Sequence, residues 1–243
     1  MTAVLLLAQL SAGAIVARAK EVDLQVQDLS ARVHMEIVAE GAAKKRVFEL
    51  IMQREGVDYR AVITLLEPAE MEGTRFLIVA QRGKRNRQWA YFPDFDLVRP
   101  IAGRNQDDPF LGSDISYADL AGAAHLDDLL HRLVGEEAID GIPCYVMEGV
   151  PRHRIAYGKL QGWVRKDDFV TTKAVFFDED LDPLKEARLT DIREVGGVPM
   201  AHRIEMKSLI GGSKTVLSLD ELRINQDLSP GLFTEAALEA SEN

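Results

Sequence analysis

Side chains able to do chemistry are present, but their spacing argues against catalysis. Gly112-Ser113-Asp114 puts a hydroxyl beside a carboxylate. A nucleophile elbow needs glycine on both flanks of the serine and a strand–turn–helix setting, and this stretch has neither. Ser113 or Asp114 reads instead as the N-cap of a turn around Ser116 to Leu120, with Asp114 and Asp119 suited to a helix start. No spacing of the five histidines supports a Ser-His-Asp hydrolase. His125, Asp127 and His131 would share one face of an extended segment, yet they lack zinc-type spacing and read as a solvated strand edge. Asp178-Glu179-Asp180-Leu181-Asp182-Pro183 begins like a calcium loop. Pro183 then stands where that loop needs glycine, and Leu189 where it needs glutamate, so it reads as an acidic hairpin turn. Cys144 is the sole cysteine, so there is no intramolecular disulfide and no thiolate cluster; in Ile142-Pro143-Cys144-Tyr145-Val146 it reads as a buried thiol. The expectation is no catalytic residue, no metal, no cofactor, and a protein that is not an enzyme.

Binding candidates are clearer. Phe110-Leu111-Gly112-Ser113-Asp114-Ile115-Ser116-Tyr117-Ala118-Asp119-Leu120 interrupts a long series of strand-like segments. Phe110 and Leu111 are apolar within a polar, irregular stretch, and Ile115, Tyr117 and Leu120 can form one apolar side of a short helix. With Gly112 as hinge, this segment is expected to be a mobile lid over an apolar cavity; a fixed plug on the sheet is the alternative. Phe76 and Ile78 share one face of a strand and are expected to line the same cavity. Trp89 and Tyr91 lie two apart, point to one face, and suit either the core or a cavity mouth. Arg82, Lys84, Arg85 and Arg87 form a dense basic patch on an acidic chain, either a solvated turn or a contact for a lipid headgroup or acidic partner.

The elements that must position these groups are mostly strands. Val33, Met35 and Ile37 alternate with Arg32, His34 and Glu36. Lys44 to Met52, Tyr59 to Leu66, Thr74 to Gln81, Arg87 to Phe92 and Leu97 to Ile101 follow, with the irregular insert from Gly103 to about Ala124. Strands then resume over about Asp127 to Glu136, Ile142 to Val150, Tyr157 to Arg165, Thr172 to Phe177, Leu184 to Ile192, Val198 to Leu209 and Ser213 to Leu222. Asp140-Gly141 suits a type I′ hairpin, and Gly196-Gly197 and Gly211-Gly212 supply positive φ. Glu21 to Ser30 is expected to hold a two-turn helix, and Pro230 to about Ala240 a short terminal one. This pattern predicts a mainly β fold, a large curved antiparallel sheet with a small helical cover. An outer-membrane barrel fits less well. Aromatics are 7% of the chain, charges fall in mid-strand, and the chain ends in a polar helix.

At the N-terminus, an apolar run from Val4 to Val16 precedes Ala17-Arg18-Ala19, which has small residues at the −3 and −1 positions of a signal-peptidase site. The reading is a signal peptide over residues 1–19 and a single domain over 20–243. No cysteine stands at that site, so an acylated lipoprotein is not expected. Net charge is −10, which argues against a nucleic-acid partner, and the apolar fraction of 47% excludes general disorder.

The Phe110–Leu120 stretch resembles the GSDFSYEDL signature of the outer-membrane lipoprotein-sorting proteins, with Ile115 and Ala118 in place of Phe and Glu. Trp163-Val164-Arg165-Lys166, Val195 to Met206 and Leu232-Phe233 resemble further stretches of that family, so the likeness runs from about Ala31 to Ala240. It implies an open LolA-like half-barrel with an apolar concave face and covering helices. It also implies a periplasmic carrier or chaperone for a lipid or lipoprotein acyl chain, often alongside an RND-type inner-membrane exporter. An RseB-like sensor or adaptor that binds a membrane protein's periplasmic domain is the alternative.

Overall fold

The computed structural model describes residues 10–121, 128–153 and 155–239. Thirteen strands form one antiparallel sheet: β1 (Asp28–Ala39), β2 (Ala42–Glu55), β3 (Asp58–Glu67), β4 (Arg75–Ala80), β5 (Arg87–Phe92), β6 (Leu97–Pro100), β7 (Leu129–Ile139), β8 (Ile142–Pro151), β9 (Lys159–Arg165), β10 (Thr171–Phe177), β11 (Pro183–Val195), β12 (Val198–Ser208) and β13 (Lys214–Ile224). The spatial order is β6-β5-β4-β3-β2-β1-β13-β12-β11-β10-β9-β8-β7. Neighbours in sequence are neighbours in space except β6 and β7, and one pairing joins strands far apart in sequence. β1 pairs with β13 in mid-sheet, Val33 opposite Leu219. β6 and β7 are the two outer strands and do not pair with each other, so the sheet stays open as a half-barrel and not a closed barrel.

Tight turns set the register. Glu40-Gly41, Asp140-Gly141 and Gly196-Gly197 each have two successive positive φ values, as type I′ hairpins require. The connections after β1, β3, β5, β8, β10 and β12 lie along one rim, here the upper rim; those after β2, β4, β7, β9 and β11 lie along the lower rim.

Both faces of the first half are covered. On the concave face Val33, Met35, Phe48, Ile63, Leu65, Phe76 and Ile78 pack with Phe110 and Ala121 of the insert. On the convex face Val62, Leu77, Val79 and Tyr91 pack under Phe233 and Leu238 of the C-terminal segment. That double cover explains why β4 is apolar on both faces and buried from Phe76 to Ala80. Buried Asp28 turns the tail onto the convex side by accepting hydrogen bonds from the Gln226 and Leu228 amides. As far as it is described, the tail holds a single 3-10 turn, Pro230–Phe233, and a short helix, Glu235–Glu239, where one helix was expected.

The other helix is displaced from its predicted place. It is α1, Ala12–Asp23, capped by Ser11, whose Oγ accepts from the Ala14 amide at 3.2 Å. Glu21 to Ser30 instead contains the helix end and the start of β1, because Ala12 to Ala19 offers an apolar helical face and Asp28 begins the strand ladder. α1 lies on the concave face over β8 and β9, with Ile15 fully buried against Met147 and Val164. Cleavage after Ala19 would take Ile15 out of that contact.

Among the described residues no helix covers the convex face of β8 to β11. Long basic side chains lie over its aromatics instead, Lys173 over Trp163 at 4.4 Å and Lys159 over Phe177 at 4.1 Å, each also paired to a carboxylate.

Candidate functional site

The insert between β6 and β7 leaves the lower rim at one edge of the sheet and rejoins at the upper rim of the other. It therefore crosses the concave face. Over residues 108–117 it folds back on itself: the Phe110 amide donates to the Ile115 carbonyl at 2.7 Å and the Tyr117 amide to the Asp108 carbonyl at 3.2 Å. This small loop points Phe110 into the first half of the sheet and Ile115 into the second. Phe110 is 1% exposed and meets Phe76, Tyr117 and Phe48 edge-on, at 5.1, 5.5 and 6.5 Å between ring centres. Ile115 packs on Ala187 and Met206, and Leu120 touches both clusters. Leu111, half-buried, is held at φ 53°, with Gly112 following at φ 77°. Positive φ at a leucine is a strained backbone, held here by the packing of the neighbouring Phe110.

Polar side chains pin this apolar wedge. Ser116 and Asp119 form a reciprocal cap: the Ser116 amide donates to Asp119 Oδ2 at 2.7 Å and the Asp119 amide to Ser116 Oγ at 3.2 Å. The same Asp119 carboxylate accepts from the Tyr157 hydroxyl at 2.5 Å and from Lys185 Nζ of β11. Both partners of that ion pair are largely withdrawn from solvent, with side-chain exposures of 12% for Lys185 and 8% for Asp119. The Lys185 ammonium also lies over the Tyr157 and Phe176 rings. Burial first, then the Asp119 charge, push the Tyr157 hydroxyl well above the usual tyrosine value.

Asp114 makes the second anchor, accepting from Ser213 Oγ and, at 2.8 Å, from Thr215 Oγ1, while its own amide donates back to Thr215 Oγ1 at 2.9 Å. Gln88 Nε2 donates to the Tyr117 carbonyl at 2.7 Å, and the Tyr59 hydroxyl donates to the Leu120 carbonyl. Burial raises the Tyr59 and Tyr117 hydroxyls in the same direction as Tyr157. Beside Tyr157 a pocket of about 280 Å³ opens at the upper rim between Pro151, Arg152, His153, Ile155, Gly158 and Glu179.

Of the residues expected to line a cavity, Phe76, Ile78, Phe110, Leu111, Tyr117 and Leu120 converge in one concave cluster, and Ile115 sits in the adjoining one. Trp89 and Tyr91 do not join them. They face the convex side with Val62, Leu77 and Val79, because their strand alternates and Ala90 takes the concave position. The basic patch is also elsewhere. Arg82, Lys84 and Arg85 are exposed on the lower-rim turn after β4, and Arg87 lies over the Trp89 ring at 5.5 Å. His125 and Asp127 lie outside the described residues. Asp178 Oδ1 accepts from the Asp182 amide at 2.8 Å, closing the acidic hairpin turn that was expected there. Cys144 is fully buried, its Sγ donates to the Ile142 carbonyl at 3.4 Å, and burial raises its pKa, as suits a structural thiol.

Sequence reasoning missed Lys185, Tyr157, Thr215 and Gln88. A signal did exist. Lys185 is in register with Ala187 and Leu189 on the concave face, Thr215 with Leu217 and Leu219, and Gln88 with Ala90. A polar residue in an apolar register marks a buried partner.

A protein-family model described as "Uncharacterized protein" matches residues 58–240. No curated protein matches the chain. Solved structures share its fold, three of them over nearly the whole chain with TM-scores of 0.76 to 0.88. A DUF1329 family protein from Desulfovibrio piger is 27% identical, with a TM-score of 0.88, covering 95% of this chain and 100% of that one. A domain described as a putative outer membrane lipoprotein-sorting protein from Vibrio parahaemolyticus is 22% identical, with a TM-score of 0.85, covering 93% and 98%. A LolA superfamily protein from Nitrosomonas europaea is 22% identical, with a TM-score of 0.76, covering 94% and 100%. The resemblance read from the Phe110–Leu120 signature thus holds in three dimensions, and the chain belongs to the family matched over residues 58–240, built on the LolA-like fold.

Proposed function

We propose that the protein is a periplasmic carrier or chaperone that holds a lipid, or the acyl chain of a lipoprotein, against the concave face, in the space the insert occupies when the protein is empty. One observation carries this reading. The insert fills an apolar concave surface with Phe110, Ile115 and Leu120, yet its polar attachment to the sheet runs through a few side chains, chiefly Asp119 with Lys185 and Tyr157, and Asp114 with Ser213 and Thr215. Lifting it would expose an apolar wall to which an acyl chain gains about 0.8 kcal/mol per buried methylene. That gain offsets the loss of the anchors once the chain is long. The likeness to a lipoprotein-sorting domain and a LolA superfamily structure supports the same reading. Carriage needs no catalytic group: Ser113 bonds its neighbour Ile115, and Asp114 anchors the insert. Export directed by a cleaved signal segment over residues 1–19, and hand-over to an RND-type inner-membrane exporter, belong to this proposal.

The test is native mass spectrometry of protein purified from the periplasm, followed by lipid extraction, with a fluorescent fatty acid titrated into delipidated protein. Co-purified lipid, and competition between that lipid and the probe, are expected. Protein that is free of lipid and does not bind the probe would overturn the proposal. Stable one-to-one capture of a membrane protein's periplasmic domain by such lipid-free protein would point to the adaptor role instead.

A further inference from the structure

The two rims differ in character. Nine large apolar side chains are exposed among the described residues, and seven of them lie along the upper rim. They sit at the β5–β6 connection, at the upper ends of β7 and β8, in the β10–β11 turn, and in the β12–β13 turn, where Leu209 and Ile210 project. The lower-rim turns carry none of the nine. Ile210 is 74% exposed and stands at the tip of a hairpin whose next two residues are Gly211 and Gly212. Burial within this chain does not explain an isoleucine at that position, and clustered exposed apolar groups mark an interaction surface.

The charge around this tip is the reverse of the chain's. The neighbouring β1–β2 turn is brought alongside by the pairing of Val38 with Lys214 and with Ala43. Exposed Lys44 and Lys45 follow that turn, and exposed Lys207 and Lys214 pair across the base of the Ile210 hairpin. Four lysines, offset in part by exposed Glu40 in the β1–β2 turn, thus surround an apolar tip and leave it net positive on a protein of net charge −10. Lys214 reaches a carboxylate only at 3.8 Å, from Glu205, which Arg203 shares. The acidic turn Asp178–Asp182, next along the rim, confines this basic character to the two central tips.

We propose that the β12–β13 tip is a membrane-docking element: Leu209 and Ile210 enter the interface of a bilayer, and Lys44, Lys45, Lys207 and Lys214 take anionic phospholipid headgroups. An apolar tip with a basic collar matches both components of such a surface, the acyl boundary and the negative leaflet. The upper rim is also where the pocket beside Tyr157 opens, so docking there turns that opening toward the lipid. The proposal is independent of acyl carriage, since vesicle binding is measured separately from lipid content.

The experiment is flotation of the full chain with vesicles of phosphatidylethanolamine and phosphatidylglycerol, and with vesicles of phosphatidylcholine alone, at low and high salt. Binding is expected to the anionic vesicles, to weaken with salt, and to fall at least tenfold in the double variants Leu209→Ser with Ile210→Asp and Lys207→Glu with Lys214→Glu. These positions are exposed, so the melting temperature should stay at that of the parent, which separates lost docking from lost folding. Absence of vesicle binding overturns the proposal, as does equal binding to phosphatidylcholine. So does binding that survives both tip variants but is lost in Arg82→Glu with Lys84→Glu on the opposite rim.

Discussion

Lys185 of the sheet reaches across the concave face to Asp119 of the insert, and the pair is buried where β11 meets the covering loop. Removing one partner leaves the other charge buried without compensation, which costs about 3–5 kcal/mol. Lys185→Met should therefore destabilise the empty protein by that amount in urea unfolding. Adding Asp119→Asn should recover much of the loss, because the orphaned charge is then gone. If the double variant is no more stable than the single, the ion pair is not the source.

Phe110 is buried against Phe76, Tyr117 and Phe48. Phe110→Ala should cost about 3–5 kcal/mol, since it empties a site lined by three other aromatic rings. Leu111→Ala should cost less, because Leu111 is only half-buried and its strained φ relaxes no further in alanine. A nearly unchanged melting temperature for Phe110→Ala would restore the mobile-lid picture, in which this ring is already exposed.

Phe76→Ala and Ile204→Ala separate well-covered from partly covered sheet. Phe76 is buried beneath Phe110, whereas Ile204 on β12 is half-buried. Both should destabilise, Phe76→Ala by the larger share of the roughly 2–5 kcal/mol range for such truncations. Reversed order in thermal melts would mean the insert does not rest on Phe76 in solution.

Alkaline pH gives a further readout. The folded Tyr157 hydroxyl titrates above the ordinary value of 10.0, so its contribution is complete at neutral pH and is lost as pH rises beyond about 10. Tyr157→Phe should cost about 1.5–3 kcal/mol at neutral pH through the lost bond to a carboxylate. The gap between parent and variant should then narrow as pH climbs past that value. A gap that stays constant or widens in urea titrations contradicts the assignment. Tyr59 and Tyr117 shift the same way, so the variant should keep part of the alkaline loss.

Ile15 tests the N-terminal boundary. In protein whose intact mass retains α1, Ile15→Asp should lower stability by several kcal/mol, because a carboxylate would replace a fully buried side chain. In protein that begins at Lys20 the substitution is absent from the mature chain, and its melting curve should match the parent.

The strands were legible because alternation and turn residues are local properties. Every predicted strand is present within a few residues, from Val33-Met35-Ile37 in β1 to the Lys214–Ile224 strand, and Asp140-Gly141 turns with both φ positive. The shared face of Phe76 and Ile78 followed from the same alternation, and Phe110 was drawn toward it by the apolar composition of the insert. What stayed hidden was long-range. That Trp89 and Tyr91 face away from Phe76 depends on the register between β4 and β5, where Phe76 sits opposite Ala90. That Asp119 meets Lys185 depends on a chain crossing between residues 66 apart. The cap expected at Ser113 or Asp114 is made instead by Ser116 with Asp119, while Asp114 turns to Ser213 and Thr215. That these aspartates pin the insert to β11 and β13 needed the fold.

The pairing of β1 with β13 also governs how the molecule comes into being. Residues Leu29 and Ile224 are partners in that ladder, so the middle of the sheet joins the earliest and latest strands to be synthesised. Until β13 has emerged, β1 presents a row of unsatisfied amides and carbonyls along its inner margin, flanked by Val33, Met35 and Ile37. Such an open margin templates intermolecular pairing, and contacts this distant in sequence form slowly. A nascent chain therefore carries its greatest aggregation hazard at the middle of its future sheet, and protection by a chaperone matters most before the last strand docks.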